Sequence, residues 1–351
     1  MNMKQIGFIC SLALLTVTLF SCEQEESLNV QTSETESKGL PYQTAYTEYQ
    51  LKNWTETGSP YLENELDNAA ATLKAPYLRS QDGLFKLPDA QTRAFGVNPQ
   101  QNRFWTMIRL KIAVTGYIKD AVVEAISRIE ENTNIRFYNA INDPETDPVY
   151  GIKLPNVYIR MALTNGQTGS SYVGRLGDEQ YISIPKEAES WENEEELVAF
   201  VMRALCNVAG MYNEQQRNDR DNFVIIDTKN VPSYNRYHFT KITNNFYSRG
   251  AFDSNSITLA GTNEFGLNSI KLKDGTMILK NLELSNLDKA FLNYFYLPFV
   301  ARKDTYSELA PVVYDGNNRK LSESERLELQ AYLNNGNPTP PTGGYADIVP
   351  W

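Results

Sequence analysis

The chain has 351 residues, 41% hydrophobic and 22% charged, which is enough to bury a sizeable core and excludes a disordered or collagen-like polymer. A formal charge of −10 leaves no basic surplus for a phosphate backbone, so nucleic acid is not an expected partner. The single histidine, His238, and three cysteines, Cys10, Cys22 and Cys206, exclude any site built on two imidazoles and any multi-disulfide framework.

Residues 1–21 carry one base, Lys4, and an apolar run from Ile6 to Phe20 too short and too early for a spanning helix. The junction Leu19-Phe20-Ser21-Cys22 resembles the lipobox of a bacterial lipoprotein signal peptide. That resemblance implies cleavage before Cys22, acylation of its thiol and amino terminus, and a membrane as partner, each buried methylene contributing about 0.8 kcal/mol. Residues 22–40 follow as an acidic flexible tether, with five Glu and no aromatic residue between Glu23 and Gly39. Acids directly after such a cysteine resemble the surface-export signals of Bacteroidota lipoproteins, which implies the outer membrane or cell surface of a bacterium.

Residues 41–100 mix Tyr42, Tyr46, Tyr49, Trp54, Tyr61 and Tyr77 with Pro and Asn, as suits an accessory segment packed on a larger domain at 101–300. Alternation predicts a strand over Met107–Val114. The spacing of Val122, Ala125, Ile126 and Ile129 predicts a helix over Lys119–Asn132. Further strands are expected at Val157–Met161 and at Tyr181–Ile184, the latter stopped by Pro185 and read as a sheet edge open to an extended peptide. Glu194–Ala209 is the strongest helix, with Glu194, Glu195 and Glu196 favouring its N-terminal dipole and Gly210 beyond its end. Helices are also expected behind Ser285, to Tyr296, and over Ser322–Leu333 in a C-terminal extension at 301–351. The tail Asn335–Trp351 is Pro/Gly-rich and expected to be non-globular unless Trp351 finds a surface.

Four segments in order carry a resemblance: Asn132-Thr133-Asn134-Ile135-Arg136-Phe137 after a helix; Ser170-Ser171-Tyr172-Val173-Gly174-Arg175 with Gln180 and Ile182-Ser183-Ile184; Gly210 to Val224; and Asp253–Ile257 with Lys273–Thr276. Together they resemble the astacin family of zinc metalloproteases, a metzincin group. The resemblance implies an α+β fold, a twisted mixed sheet with two long helices in the N-terminal half and an irregular C-terminal half ending in a helix. It also makes the 41–100 segment propeptide-like. In that family H-E-x-x-H-x-x-G-x-x-H supplies three zinc-binding imidazoles and a general base. Counted back from Gly210, those positions are Arg203, Ala204, Asn207 and Asn213. A guanidinium has no lone pair, asparagine carbonyls are weak donors for zinc, and alanine abstracts no proton. The resemblance likewise places Thr258 and Ala260 where the family's Met-turn has methionine and tyrosine.

The expectation is therefore an inactive homologue with no catalytic residue, metal or cofactor, acting as a binding or interaction protein through the former substrate cleft, where peptide is the candidate ligand, or through another surface. Arg203 is expected to place a fixed charge at the vacated metal position and to pair with an acid, Glu214 for instance, or with a peptide carboxylate. Glu214, Arg217, Asp219, Arg220 and Asp221 form a charged cluster that ties the halves of the cleft together in the family; otherwise they make a solvated turn. Gly174 and Arg175 read as structural. Cys206 is expected to be a small buried hydrophobe and His238 a surface or core residue. Two other readings stay open: an active peptidase or metal-dependent hydrolase using other residues, such as calcium on Asp143, Glu145 and Asp147, and a structural or adhesive surface subunit.

Overall fold

The computed structural model describes residues 94–97 and 103–351, apart from 147, 149–150, 152, 164–169, 192 and 251. The signal peptide, Cys22, the tether and most of the 41–100 segment lie outside the described residues.

The main layer is a five-stranded sheet in the order β3-β2-β4-β6-β5, formed by β2 (Ile108–Ile112), β3 (Phe137–Asn139), β4 (Val157–Met161), β5 (Ser170–Ser171) and β6 (Gln180–Ile184). All neighbours are parallel except β5, which runs antiparallel to β6. Helix α1 (Gly116–Asn132) makes the crossover from β2 to β3 and buries Ile118, Ala121, Val122, Ala125, Ile126 and Ile129 on one face. Helix α2 (Glu194–Val208) packs with it in the main core; every residue from Leu197 to Val208 is buried except Phe200, which is partly so.

One strand is where it is expected and one changes place. The strand predicted over Met107–Val114 is β2, which lies inside the sheet and is open to solvent on neither side. Arg109 is fully buried, its Nη2 donating to Asp143 at 2.6 Å and its Nε to Asn156 at 3.1 Å, while Lys111 Nζ donates to the Asp143 carbonyl at 2.7 Å. Tyr181–Ile184, by contrast, is not the sheet edge: β6 pairs with β4 on one side and β5 on the other, so the edge is the two-residue β5. Asp143 is thereby committed to a guanidinium and Glu145 accepts from Tyr158 at 3.2 Å, so these two acids do not converge on a calcium position; Asp147 lies outside the described residues.

Strand β1 (Ala94–Val97) pairs antiparallel with β8 (Phe246–Arg249) and, through Val97 N to Gly210 O at 2.8 Å and Tyr212 N to Phe95 O at 3.1 Å, grips the exit of α2. The second half is irregular, built round a smaller core of Val231, Phe239, Leu259, Phe265 and Ile278 and a two-stranded sheet of β7 (Val224–Ile226) and β9 (Ile270–Leu272). Helix α3 (Asn286–Phe295) starts on a Ser285 capping box with Asp288 and returns Phe291, Leu292 and Phe295 to the main core.

Beyond it, α4 (Glu323–Leu333), capped by Ser322, completes a third cluster with Leu297, Leu309, Val313 and Leu321. The tail is packed, not loose: Trp351 lies against the main core and Asn139 Nδ2 donates to Pro350 O at 2.7 Å. Arg302 supports this return, donating to Asp304 at 2.7 Å, Glu308 at 2.6 Å and Gly343 O at 2.7 Å between the Tyr306 and Tyr345 rings.

Candidate functional site

Helix α2 ends in a Schellman arrangement: Met211 N donates to Cys206 O at 3.0 Å and Gly210 N to Asn207 O at 2.8 Å, with Gly210 at φ +101°. The remaining last-turn carbonyls also have donors, Trp105 Nε1 on Val208 O and Tyr296 OH on Ala209 O, both at 2.9 Å. The reversal swings Asn213 back onto the face of α2 that carries Arg203 and Asn207.

There the expected positions meet. Asn213 Oδ1 accepts from Arg203 Nε at 3.2 Å and from Asn207 Nδ2 at 3.4 Å; Asn207 Nδ2 also donates to Met211 O at 2.9 Å, and its Oδ1 accepts from Ser171 Oγ at 3.0 Å. Asn213 Nδ2 continues to Gln216 Oε1 at 3.2 Å. With Ala204 these residues floor a cleft of about 490 Å³, walled by Trp191, Phe200, Tyr212, Tyr237, His238 and Phe265.

Arg203 pairs with Glu264, not Glu214: Nη1 to Oε1 is 2.6 Å, with side chains only 8% and 19% exposed. Burial pushes the Glu264 carboxyl upward, but Arg203, Lys280 and the Gly261 amide, 3.0 Å from Oε2, hold it below the usual glutamate value. Glu264 lies in a loop remote in sequence from α2, and nothing in its local pattern marks it as a partner. The one usable signal was at the other end: a guanidinium on the inner face of a buried helix needs an acid.

His238 is a cleft-wall residue stacked on Phe265 at 3.9 Å, and its Nε2 is buried without a hydrogen-bond partner among the described residues. Burial first, and Arg203 second, lower its pKa to about 4, so it stays neutral at pH 7. Cys206 lies on the core side of α2, and burial raises its thiol pKa well above normal, which makes it unreactive.

The charged cluster stands beside the cleft and is partly buried. Glu214 Oε1 accepts from Asp253 N at 2.8 Å and lies 3.5 Å from Arg217 Nε. Arg217 grips Asp219 with two bonds of 2.9 and 3.0 Å and donates to Gly250 O. Arg220 donates to Gln215 O and Phe239 O, whereas Asp221, paired with Lys241 at 2.6 Å, faces solvent. Thr258 and Ala260 are fully buried behind it, and the Ala260 amide donates to Gln215 Oε1 at 3.0 Å. Asp288 fixes this turn by accepting from Ser256 Oγ and Ile257 N, both at 2.7 Å. Gly174 at φ +69° and Arg175 hold the β5–β6 connection: Gly174 N donates to Asn207 O at 2.8 Å and Arg175 N to Arg103 O at 2.7 Å.

As a zinc site this floor does not fit. The Asn213 oxygen is already used by two donors, the Asn207 oxygen by a third, and the remaining position bears a guanidinium in an ion pair. Among the described residues no group of three or more His, Cys, Asp or Glu side chains is arranged to hold a metal.

Comparison with known proteins agrees with the motifs. The model of the peptidase family described as Astacin matches residues 98–296. The chain is 26% identical over 191 residues to "Zinc metalloproteinase nas-32" of Caenorhabditis elegans, a match covering 52% of this chain and 26% of that protein. It is 27% identical over 176 residues to "Astacin-like metalloprotease toxin 1" of Loxosceles intermedia, covering 49% and 59% respectively. It therefore spans under two thirds of the length of these relatives. Among solved structures, high choriolytic enzyme 1, a hatching enzyme zinc-protease from Oryzias latipes, matches at TM-score 0.42 and 20% identity over 55% of this chain and 90% of that one. Myroilysin matches at 0.39 and 17%, over 58% and 98%. With more than half of its length matched by the family model, the chain belongs to the astacin family of peptidases and has its α+β metzincin fold.

Proposed function

We propose that this protein is a catalytically inactive member of the astacin family that uses the remodelled cleft to bind peptide, held by lipidated Cys22 at the outer membrane or cell surface of a bacterium. The observation that carries the reading is the network on the cleft floor: Arg203, Asn207 and Asn213, at the counted ligand positions, are bonded to one another, and Arg203 is neutralised by Glu264. A network of side chains within the protein fills the place where a peptidase needs open metal coordination, and Ala204 offers no base. The fold that shaped the cleft is retained by the Schellman turn, the Glu214–Arg217 region and the Asp288-anchored turn, as expected where a scaffold outlives its chemistry. No helix among the described residues is long and apolar enough to cross a membrane, so in this reading attachment falls to Cys22.

Two measurements on one sample test the reading: zinc per chain by elemental mass spectrometry after dialysis against micromolar zinc, and cleavage of a fluorescent peptide library. The expected result is no stoichiometric zinc and no cleavage. One zinc per chain, with cleavage abolished by a chelator, would overturn it and require other donors.

A further inference from the structure

The smaller sheet turns one face to the second-half core, where Val224, Ile270 and Ile278 are buried. On its other face the register sets Ile225 beside Lys271 across β7 and β9, and Lys271 in turn bridges Met277 on the segment that follows. With Ile278 inward, Leu279 points outward beside Met277. The wet face of an antiparallel sheet is ordinarily polar, yet Ile225 is 49% exposed, Met277 51% and Leu279 81%. Three large apolar side chains on one sheet face form a patch, unlike the scattered exposure of an ordinary surface.

The charge around the patch differs in sign from that of the molecule. Residues 224–230 and 270–279 carry Lys229, Lys271 and Lys273 against Asp227 and Asp274, in a chain of formal charge −10. Lys229 offsets Asp227 at 3.9 Å, and Asp274 is turned onto the Thr276 amide at 2.8 Å. Lys273 Nζ donates to the Asp221 carbonyl at 2.7 Å, and Lys271, between Ile225 and Met277, has no hydrogen bond or ion pair among the described residues.

We infer that this face rests on the bilayer that holds lipidated Cys22, with Ile225, Met277 and Leu279 entering between the headgroups and Lys271 and Lys273 meeting anionic ones. This rests on the anchoring reading, which keeps a bilayer within reach of the folded part of the chain. A lysine set among apolar side chains suits that boundary, because its stem lies with them while the ammonium rises to the headgroups. Tethering also lets a weak patch act, since the link makes docking an intramolecular step at about millimolar effective concentration. Docking fixes the orientation of the cleft, because Lys280, next in the chain after Leu279, lines it.

Met277 is its own probe: Met107, Met202 and Met211 are buried and Met161 is half-buried, so it is the one exposed methionine among the described residues. The full chain is expressed in a bacterium, purified from membranes, weighed intact and reconstituted in vesicles of phosphatidylethanolamine and phosphatidylglycerol. Hydrogen peroxide then converts methionine to its sulfoxide, read by peptide mass spectrometry against a chain beginning at Glu23 and free in buffer. With about four fifths of the patches docked, Met277 should oxidise about fivefold more slowly on vesicles than in that reference, while Met161 is unchanged. Ile225→Thr combined with Leu279→Asp should return Met277 on vesicles to the reference rate without moving Tm. Equal rates in an acylated chain overturn the docking face and leave the anchor intact, whereas an intact mass without acyl chains overturns both. Protection that the double variant keeps overturns the assignment to this face. Protection in buffer that grows with protein concentration means that a second copy covers the patch, and overturns the bilayer as its occupant.

Discussion

Arg203 and Glu264 decide the character of the cleft. Joining them costs the hydration of both charges, so the pair is better understood as a lock on geometry than as net stabilisation. Breaking it from one side is a different matter: Glu264→Gln leaves a guanidinium poorly compensated in a mostly buried place. The variant should lose about 2–3 kcal/mol of unfolding free energy in urea titration, while Arg203→Met combined with Glu264→Leu should come closer to the parent than either single change. If Glu264→Gln is neutral, the pair is not a lock. Arg203, Ala204, Asn207 and Asn213 could be placed by counting along one helix and one turn, because their spacing is local. Glu264 and Lys280 could not, because their approach is fixed only when the second half of the chain folds over α2. The need of Arg203 for an acid was legible; the identity of that acid, Glu264, was not.

At the level of elements, the exit of α2 matters most, because it orients Asn213 against Arg203 and Asn207. Gly210 is required there twice over: its φ of +101° is unfavourable to other residues, and an added Cβ would stand 2.9 Å from Val97 Cγ2. Gly210→Ala should therefore cost about 2 kcal/mol or more by chemical denaturation, and should loosen β1, whose Val97 amide bonds the Gly210 carbonyl. A loss under half a kilocalorie would show that the turn adapts and that β1 does not depend on it. The helices were legible because apolar spacing and caps are written within each segment: Ser285, Ser322 and Gly210 all do what their types predict. The sheet was less so. Its strands could be located, but strand order depends on long-range pairing, and the two-residue β5 that displaces β6 from the edge is too short to leave a periodic signal.

Across the whole molecule, the Glu214 region joins what would otherwise be two cores. Glu214 reaches Asp253, Arg217 reaches Gly250, and Gln215 takes the Ala260 amide and donates to His238 O, so the cleft keeps its width through polar contacts rather than continuous apolar packing. That choice has a pH signature. Burial pushes the Glu214 pKa up to about 8, against the downward pull of Arg217, whose bidentate grip is on Asp219; burial likewise carries Asp288 to about 7 despite its hydrogen bonds. For both, the native state holds the proton more tightly than the unfolded chain, so their contribution is full below the ordinary carboxylate range and is lost as pH rises through the native value. His238 works the other way: lowered from 6.5 to about 4, it costs stability as pH falls through that window, where it offsets the two acids. Between about 6.5 and 8 it titrates in neither state and the acids act alone. Thermal unfolding should therefore shift to lower temperature as pH is raised from 6.5 to 8.5, and Glu214→Gln, which carries no titrating proton, should flatten that fall. A Tm that holds level or rises across this interval, or a fall that Glu214→Gln leaves unchanged, would mean that Glu214 enters the folded state already ionised and that the two cores are joined by an ion pair with Arg217 instead.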